Sequence, residues 1–178
     1  SFRVDPPPSR IPDGTFRAAG GRRAPFPAKG RGRGFDDPED AHAWNRLVWA
    51  LEPGEDDRIL AELSGWLESP LSETALNPYT TSERICALAQ VLGTLGERLP
   101  NEVGRLALSR LLADAESLTD SFETRLGVHN HLLNNARALC VAGRLAGDER
   151  RASLWLGRAR ETWDAMWPNL ILDDGVFA

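Results

Sequence analysis

Apolar residues recur every three or four positions along most of the chain after residue 36, which is the spacing of one face of an amphipathic helix. Six segments with this spacing are separated by residues that commonly begin or end helices. These residues are Asp37, Pro53, Pro70, Thr80, Pro100, Gly147 and Pro168. The pattern therefore predicts six helices joined by short connections.

Three of the predicted helices carry capping residues at their starts. Asp37 is placed as an N-cap, and Pro38 then occupies the first helical position, where proline is well tolerated. Thr80 and Glu83 have the spacing of a capping box at the start of the third helix. Asp148 is the expected N-cap of the sixth helix, after Gly147 ends the fifth.

The apolar stripes of the six helices define the predicted core. In the first three helices the stripe residues are Ala41, Trp44, Val48, Leu51, Ile59, Leu60, Leu63, Trp66, Leu67, Ile85, Leu88, Leu92 and Leu95. In the last three they are Leu108, Leu111, Leu112, Ala115, Leu118, Leu132, Ala136, Leu139, Cys140, Gly143, Ala152, Trp155, Leu156, Ala159, Trp163, Met166 and Trp167. No alternating strand pattern follows residue 36, so the predicted fold is an all-α array of antiparallel hairpins. Such hairpins can close into a toroid or stack as a solenoid, and periodicity does not choose between the two.

The charge is unevenly distributed and sets residues 1–35 apart. This segment has eight Arg or Lys residues against two Asp, a net charge of +6, so the rest of the chain carries −11 of the total of −5. Its "PPP" and "GRGRG" runs favour an extended or short-stranded leader over a helix. A basic arm of this kind can bind nucleic acid or another polyanion. The favoured interpretation is a solvated leader packed loosely on the helical domain of 36–178, because Arg is abundant throughout the chain.

Several common types of site are disfavoured by the sequence. The two cysteines form no disulfide framework and no CxxC motif, and no apolar run approaches the roughly 20 residues of a membrane span. His129 and His131 would point about 200° apart on a helix, which argues against a zinc site. No GxSxG nucleophile motif and no phosphate-binding glycine loop occurs. We therefore expect no metal and no cofactor.

The segment "LGVHNHLLNNARALC" (126–140) places three Asn and two His in a predicted helix. With Leu132 facing the core, Asn130, Asn134 and Arg137 share the opposite face. Three Asn in a helix interior sacrifice on the order of 1–2 kcal/mol relative to Ala, so some compensation is expected. Either Asn130 is an N-cap and the others bond to neighbouring elements, or this face has a binding function.

Three stretches taken in order resemble a known family: "AHAWNRLVWAL", then "NPYTTSERICALAQVL", then the last part from "HNHLLNNARAL" to "DDGVF". Together they are similar to the helical domain of heparinase II/III-like polysaccharide lyases, which include related alginate lyases. The resemblance covers roughly residues 36–178. It implies an incomplete (α/α) toroid with a cleft for an anionic polysaccharide, a β-sandwich domain downstream, and a periplasmic or secreted location. Nucleic acid and membranes are not expected partners.

The resemblance also implies roles for individual residues. Asn130 matches an Asn that contacts the uronate carboxyl group, and His131 matches an adjacent His that donates to that group or acts as a base. These two are the expected catalytic residues. The expected substrate-binding residues are Arg84, Asn134, Asn45 and Arg46. For Asn45, Arg46 and Arg84, a structural role remains an equal alternative.

The chain departs from the family pattern in one respect. Family members have a catalytic Tyr and a further His after the "DG.F" segment, whereas the single Tyr of this chain is Tyr79, ahead of the third predicted helix. The sequence is therefore interpreted as the N-terminal part of a lyase that cleaves a uronic-acid polymer by β-elimination, inactive by itself. The alternative is a non-catalytic interaction or carbohydrate-binding module with an aromatic groove formed by Trp155, Trp163 and Trp167.

Overall fold

The computed structural model describes residues 14–18, 22–27, 35–51, 56–122 and 130–170. A two-stranded antiparallel sheet is formed by β1 (Thr15–Arg17) and β2 (Arg23–Pro25), with Phe16 opposite Ala24. Six α-helices follow: α1 (Pro38–Asn45), α2 (Asp56–Leu67), α3 (Pro78–Leu95), α4 (Asn101–Asp120), α5 (Asn130–Leu145) and α6 (Glu149–Leu170). Short 3-10 helices lie at Val48–Leu51, Glu73–Leu76 and Gly96–Arg98. The prediction of a mainly helical chain preceded by short strands is confirmed.

Helix α3 occupies the middle of the assembly and packs against α1, α4 and α5. Helix α5 packs in turn against α6, and α2 packs against α4. Tyr79 contacts His131 and Ser82 bonds to Asn135, so the contacts between α3 and α5 advance in the same direction along both helices. These two helices therefore run parallel, with their N-terminal ends side by side.

The core is continuous from the hairpin to α6 and contains most of the predicted stripe. The large side chains at its centre include Phe16, Trp44, Trp49, Trp66, Leu63, Leu88, Leu111, Leu118 and Trp155. A few predicted core residues are instead exposed. These are Val48, Leu108, Leu156, Trp163 and Trp167.

The end of α1 explains why Val48 was assigned to the wrong face. The α-helix stops at Asn45, and Leu47 adopts a positive φ of 59°, which is unusual for a residue with a side chain. This reversal buries Leu47 completely and leaves Val48 46% exposed. It also stacks Trp49 on Trp44, with ring centroids 4.6 Å apart and planes within 6° of parallel.

The third helix begins earlier than its sequence pattern predicted. Its N-cap is Asn77, whose side chain accepts a hydrogen bond from the Thr80 backbone N–H at 3.1 Å. Pro78 occupies the first helical position, so Thr80 lies inside the first turn. The predicted cap at Thr80 is therefore wrong, and the Asn–Pro pair is the start signal that was missed. At α6 the expected cap is confirmed, because Asp148 accepts from the Arg151 backbone N–H at 2.8 Å.

The described part of the leader is packed into the core. Phe16 of β1 is fully buried, with its ring centroid 5.3 Å from that of Trp44. Arg22 then bonds to both Asp37 and Asp40 at the start of α1. The hairpin and the helices thus share one hydrophobic core, and the interpretation of a loosely packed leader does not hold for residues 14–18 and 22–27.

Candidate functional site

Three helix ends meet around the ring of Tyr79. The Arg46 guanidinium carbon lies 5.1 Å from the centre of this ring, and the His131 ring centroid lies 4.6 Å from it at an interplanar angle of 44°. Arg46 follows the last residue of α1, Tyr79 is in the first turn of α3, and His131 is in the first turn of α5. We call these three residues the ring cluster.

The local sequence explains why the three residues meet. The turn at Leu47 ends α1 directly after Arg46, and the Asn77 cap places Tyr79 at the second helical position of α3. Helix α5 begins at Asn130, which places His131 second in that helix. The N-terminal ends of these two helices therefore lie at the cluster, and their helix dipoles give it a partial positive potential.

Arg46 supplies the permanent positive charge of the ring cluster. Its guanidinium is 3.9 Å from a Glu39 carboxylate oxygen, which is too long for a hydrogen bond. Its Nε is buried and has no hydrogen-bond partner within the described part of the chain. Within the described residues the Arg46 guanidinium is therefore not saturated by hydrogen bonds, although the buried Nε itself is closed to a ligand from solvent.

His42 adds a neutral imidazole next to Arg46. Its Nδ1 lies 2.8 Å from the Thr80 hydroxyl, which connects α1 to the first turn of α3. Burial lowers the pKa of His42 below its ordinary value of 6.5, and the nearby charge of Arg46 lowers it further. His42 is thus uncharged at neutral pH, although nothing in the sequence pattern singled it out.

The Asn residues of α5 have different environments. Asn130 is exposed and is the first residue of α5 that the structure describes. Asn134, one turn further, is half-buried, and its Nδ2 has no hydrogen-bond partner among the described residues. Asn135 is fully buried and accepts a hydrogen bond from the Ser82 hydroxyl at 2.8 Å. Only Asn135 therefore shows the bonding to a neighbouring helix that a purely structural role requires.

Arg84 lies in the core beneath the ring cluster. Its side chain has no solvent exposure, and it donates twice to the Asp114 carboxylate, at 2.7 and 3.0 Å. The remaining donors bond to Thr81 and to the backbone carbonyls of Asn45 and Ala75. All five N–H groups of the guanidinium are thereby engaged. Of the two roles open for Arg84, the structure shows the ion pair, and a polysaccharide has no route to this side chain.

Asn45 is also enclosed by the fold. Asn45 is fully buried, and its side-chain Nδ2 donates to the Ala41 carbonyl one turn earlier at 2.8 Å. Its own backbone carbonyl accepts from Arg84. Asn45 therefore helps to fix the end of α1, which places Arg46, and it presents no group to a ligand at the surface.

The structure thus separates the candidate residues into a buried pair, Arg84 and Asn45, and a set at or near the ring cluster. Arg46 and His131, both expected from the sequence, meet at the ring cluster, with Asn130 and Asn134 on the same helix as His131. Tyr79 was not among the candidates, because the catalytic Tyr of the family is expected after the "DG.F" segment and Tyr79 does not match that position. Recognising Asn77 and Pro78 as the helix start would have placed Tyr79 in the first turn of α3. His131 occupies the equivalent place in α5.

The proposed aromatic groove on α6 is not formed as expected. Trp155 is buried in the core, so it cannot contribute to a surface groove. Trp163 and Trp167 remain exposed, at 37% and 54%, with their ring centroids 5.9 Å apart. What is left is a pair of indoles next to the buried face of α6.

Within the described ranges, no group of three or more His, Cys, Asp or Glu side chains is arranged to hold a metal ion. None of the helices in those ranges has the length and apolar character needed to cross a membrane. Comparison of the chain with protein-family models, with curated proteins and with solved structures finds no match.

Proposed function

We propose that this chain is the N-terminal helical part of a polysaccharide lyase that cleaves a uronic-acid polymer by β-elimination. The observation that supports it is the meeting of Arg46 and His131 on the ring of Tyr79. By the family resemblance, Arg46 falls at a polar cleft or scaffold position and His131 matches a catalytic His, and the two residues come from distant parts of the sequence. A cation and an imidazole that each lie within 5.1 Å of one ring centroid suit a carboxylate ligand.

The chemistry of β-elimination explains why such a site is needed. The reaction removes the C5 proton of a uronate, and the negative charge that develops is shared with the carboxyl group before the C4 oxygen departs. Since the carboxylate is already negative, the transition state requires donors directed at that group. In this proposal Arg46 neutralises the carboxylate, and the amides of Asn130 and Asn134 donate hydrogen bonds to it. His131 donates to the same group or accepts the C5 proton.

We further infer that the helices form part of an (α/α) toroid. Helices α3 and α5 are parallel neighbours, while α4 and α6 connect and flank them, which is the alternation of inner and outer helices in such toroids. The N-terminal ends of α3 and α5 then open on the same side as the substrate cleft. By the family resemblance, the Tyr and His that complete proton transfer, together with a β-sandwich, follow downstream.

The proposal is tested by titrating the 178-residue chain with an unsulfated oligouronate and following backbone amide shifts by NMR. We expect weak binding, with the largest shifts in the first turns of α3 and α5. Arg46→Ala should reduce the affinity roughly tenfold, the effect of losing about 1.4 kcal/mol. The matched control is Arg144→Ala, which removes an exposed Arg from the last turn of α5.

A lyase assay on the same chain provides a second check. Because the remaining proton carriers are proposed to lie downstream, the chain alone should generate negligible unsaturated uronate absorbance. Equal binding by wild type and Arg46→Ala, or shifts confined to other surfaces, would contradict the proposed site. Robust turnover by the 178-residue chain would contradict the assignment of the missing Tyr.

The second candidate function is a non-catalytic carbohydrate-binding module. It is favoured by the exposed pair of Trp163 and Trp167, because indoles at this separation can pack against sugar rings. In that case neutral and acidic oligosaccharides would bind with similar affinity, and Trp167→Ala would weaken both. Under the lyase proposal, binding requires the carboxylate and is insensitive to Trp167→Ala.

A further inference from the structure

Tyr79 contacts both Arg46 and His131, yet the proposed mechanism gives it no role. Arg46 and His131 belong to α1 and α5, and each reaches the same ring from a different helix. Both contacts involve the ring of Tyr79. Arg46 and His131 are therefore linked by their shared contact with one aromatic ring.

The backbone beneath the ring is firmly held. Asn77 caps the first turn of α3, and Pro78 fixes the backbone directly before Tyr79. The next residue, Thr80, is fully buried and its hydroxyl lies 2.8 Å from His42 of α1. Because the residues on both sides are fixed, the ring of Tyr79 extends from a rigid backbone.

Such a ring restricts side chains that would otherwise be mobile. An Arg side chain loses considerable rotamer freedom when it is ordered, and an aromatic face attracts a guanidinium electrostatically. An imidazole packed against the same ring is limited in the directions that its nitrogens can take. A binding site whose groups are already ordered loses less entropy when its ligand binds.

We propose that Tyr79 is a positioning residue of the carboxylate site. Its ring, and not its hydroxyl, holds Arg46 and His131 at the spacing that allows one uronate carboxylate to engage both. This inference rests on the proposed function for the identity of the ligand, but the ordering of the two side chains by the ring is a property of the chain itself.

The test uses two substitutions that separate the ring from the hydroxyl. Tyr79→Phe keeps the ring and removes only the hydroxyl, whereas Tyr79→Leu removes the aromatic surface at similar volume. Leu63→Ala is the matched control, because it loses stability in the core of α2 without touching the ring cluster. Denaturant unfolding of all four proteins identifies conditions under which each is folded.

The first readout needs no ligand. The protons of the His131 ring should experience the ring current of Tyr79, so their NMR signals should be displaced from those of a free imidazole in wild type, in Tyr79→Phe and in Leu63→Ala. In Tyr79→Leu they should move toward the positions of an unstacked imidazole. Unchanged His131 signals in Tyr79→Leu would overturn the proposal.

The second readout is affinity for an unsulfated tetrauronate. Tyr79→Phe and Leu63→Ala should bind within about twofold of wild type, and Tyr79→Leu should bind roughly tenfold more weakly, the equivalent of about 1.4 kcal/mol. If Tyr79→Phe loses as much affinity as Tyr79→Leu while its His131 signals stay displaced, the hydroxyl is the important group and the proposal fails.

The two readouts distinguish failure of this inference from failure of the proposed function. If wild type does not bind the tetrauronate, the proposed function fails, and the NMR result still decides whether the ring orders His131. If wild type binds it and Tyr79→Leu binds equally well, only the positioning role is overturned.

Discussion

Arg84 and Asp114 form a bidentate ion pair between α3 and α4, with both side chains almost completely excluded from solvent. The same guanidinium bonds to the carbonyls of Asn45 and Ala75, so one side chain connects α1, the 3-10 helix at Glu73–Leu76, α3 and α4. The first turn of α3, which carries Tyr79, is held in place by this network.

The network predicts a large loss of stability when one partner is removed. Arg84→Met leaves the Asp114 carboxylate buried without its main partner, and breaking a buried pair in this way costs about 3–5 kcal/mol. Urea unfolding of wild type and variant measures this difference. Arg84→Met combined with Asp114→Leu should recover much of the loss, since no buried charge remains unpaired. A small effect of Arg84→Met alone would contradict the network.

Substitution of Asn130 separates a role in the reaction from a role in folding. In the lyase with its downstream residues, Asn130→Ala should lower kcat by about 10²–10³, the usual effect of removing one donor to a developing oxyanion. Because Asn130 is exposed, the melting temperature should change little. Turnover and melting temperature are measured on the same preparations. Normal turnover with lowered stability would leave the carboxylate role without support.

The environment of His42 predicts how stability responds to pH. Its pKa is lowered in the folded state, chiefly by burial, so the unfolded chain binds a proton more readily than the folded one. This contribution to stability is complete above pH 6.5 and is lost as the pH falls from 6.5 toward the lower folded pKa. Urea unfolding between neutral and mildly acidic pH should show a steeper decline for wild type than for His42→Gln. Parallel pH profiles for the two proteins would rule out this contribution.

Close packing at Gly143 predicts that Gly143→Ala destabilises the wild type but stabilises a Leu156→Ala variant. A Cβ at this position would lie 2.8 Å from Cγ of Leu156 on α6. Gly143→Ala should therefore destabilise the wild type by about 1–3 kcal/mol through overpacking. In a Leu156→Ala background the obstruction is gone, and the same change should stabilise by about 1 kcal/mol through helix propensity. A double-mutant cycle in urea measures the coupling, and additive effects would refute the contact.

The position of Phe16 predicts that the leader contributes to folding. Its ring is fully buried beside Trp44, so Phe16→Ala should cost about 3–5 kcal/mol, as for other large core residues. Thermal unfolding followed by circular dichroism at helical wavelengths provides the measurement. An unchanged melting temperature would show that the hairpin packs loosely. The same contact means that nucleic-acid binding by residues 1–35 is better tested by replacing Arg residues than by deleting the segment.

The sequence by itself determined the helical class and most of the core. The spacing of Leu63, Leu111 and Trp155 identified buried faces, because periodicity within one helix depends only on local geometry. The cap at Asp148 was equally local and equally predictable. Local pattern failed at Val48, because the positive φ of Leu47 ends α1 and turns Val48 out of the helical stripe.

The composition of the site was decided by tertiary structure. The sequence identified Arg46 and Arg84 alike as polar candidates, but whether such a residue faces solvent or an ion pair depends on helices that are remote in the sequence. Packing of α3 against α4 buries Arg84 on Asp114, while the meeting of α1, α3 and α5 brings Arg46 and His131 to Tyr79. The sequence specifies which side chains are present on each helix, and only the packing of the helices specifies which of them meet, because those contacts join residues that no local spacing relates.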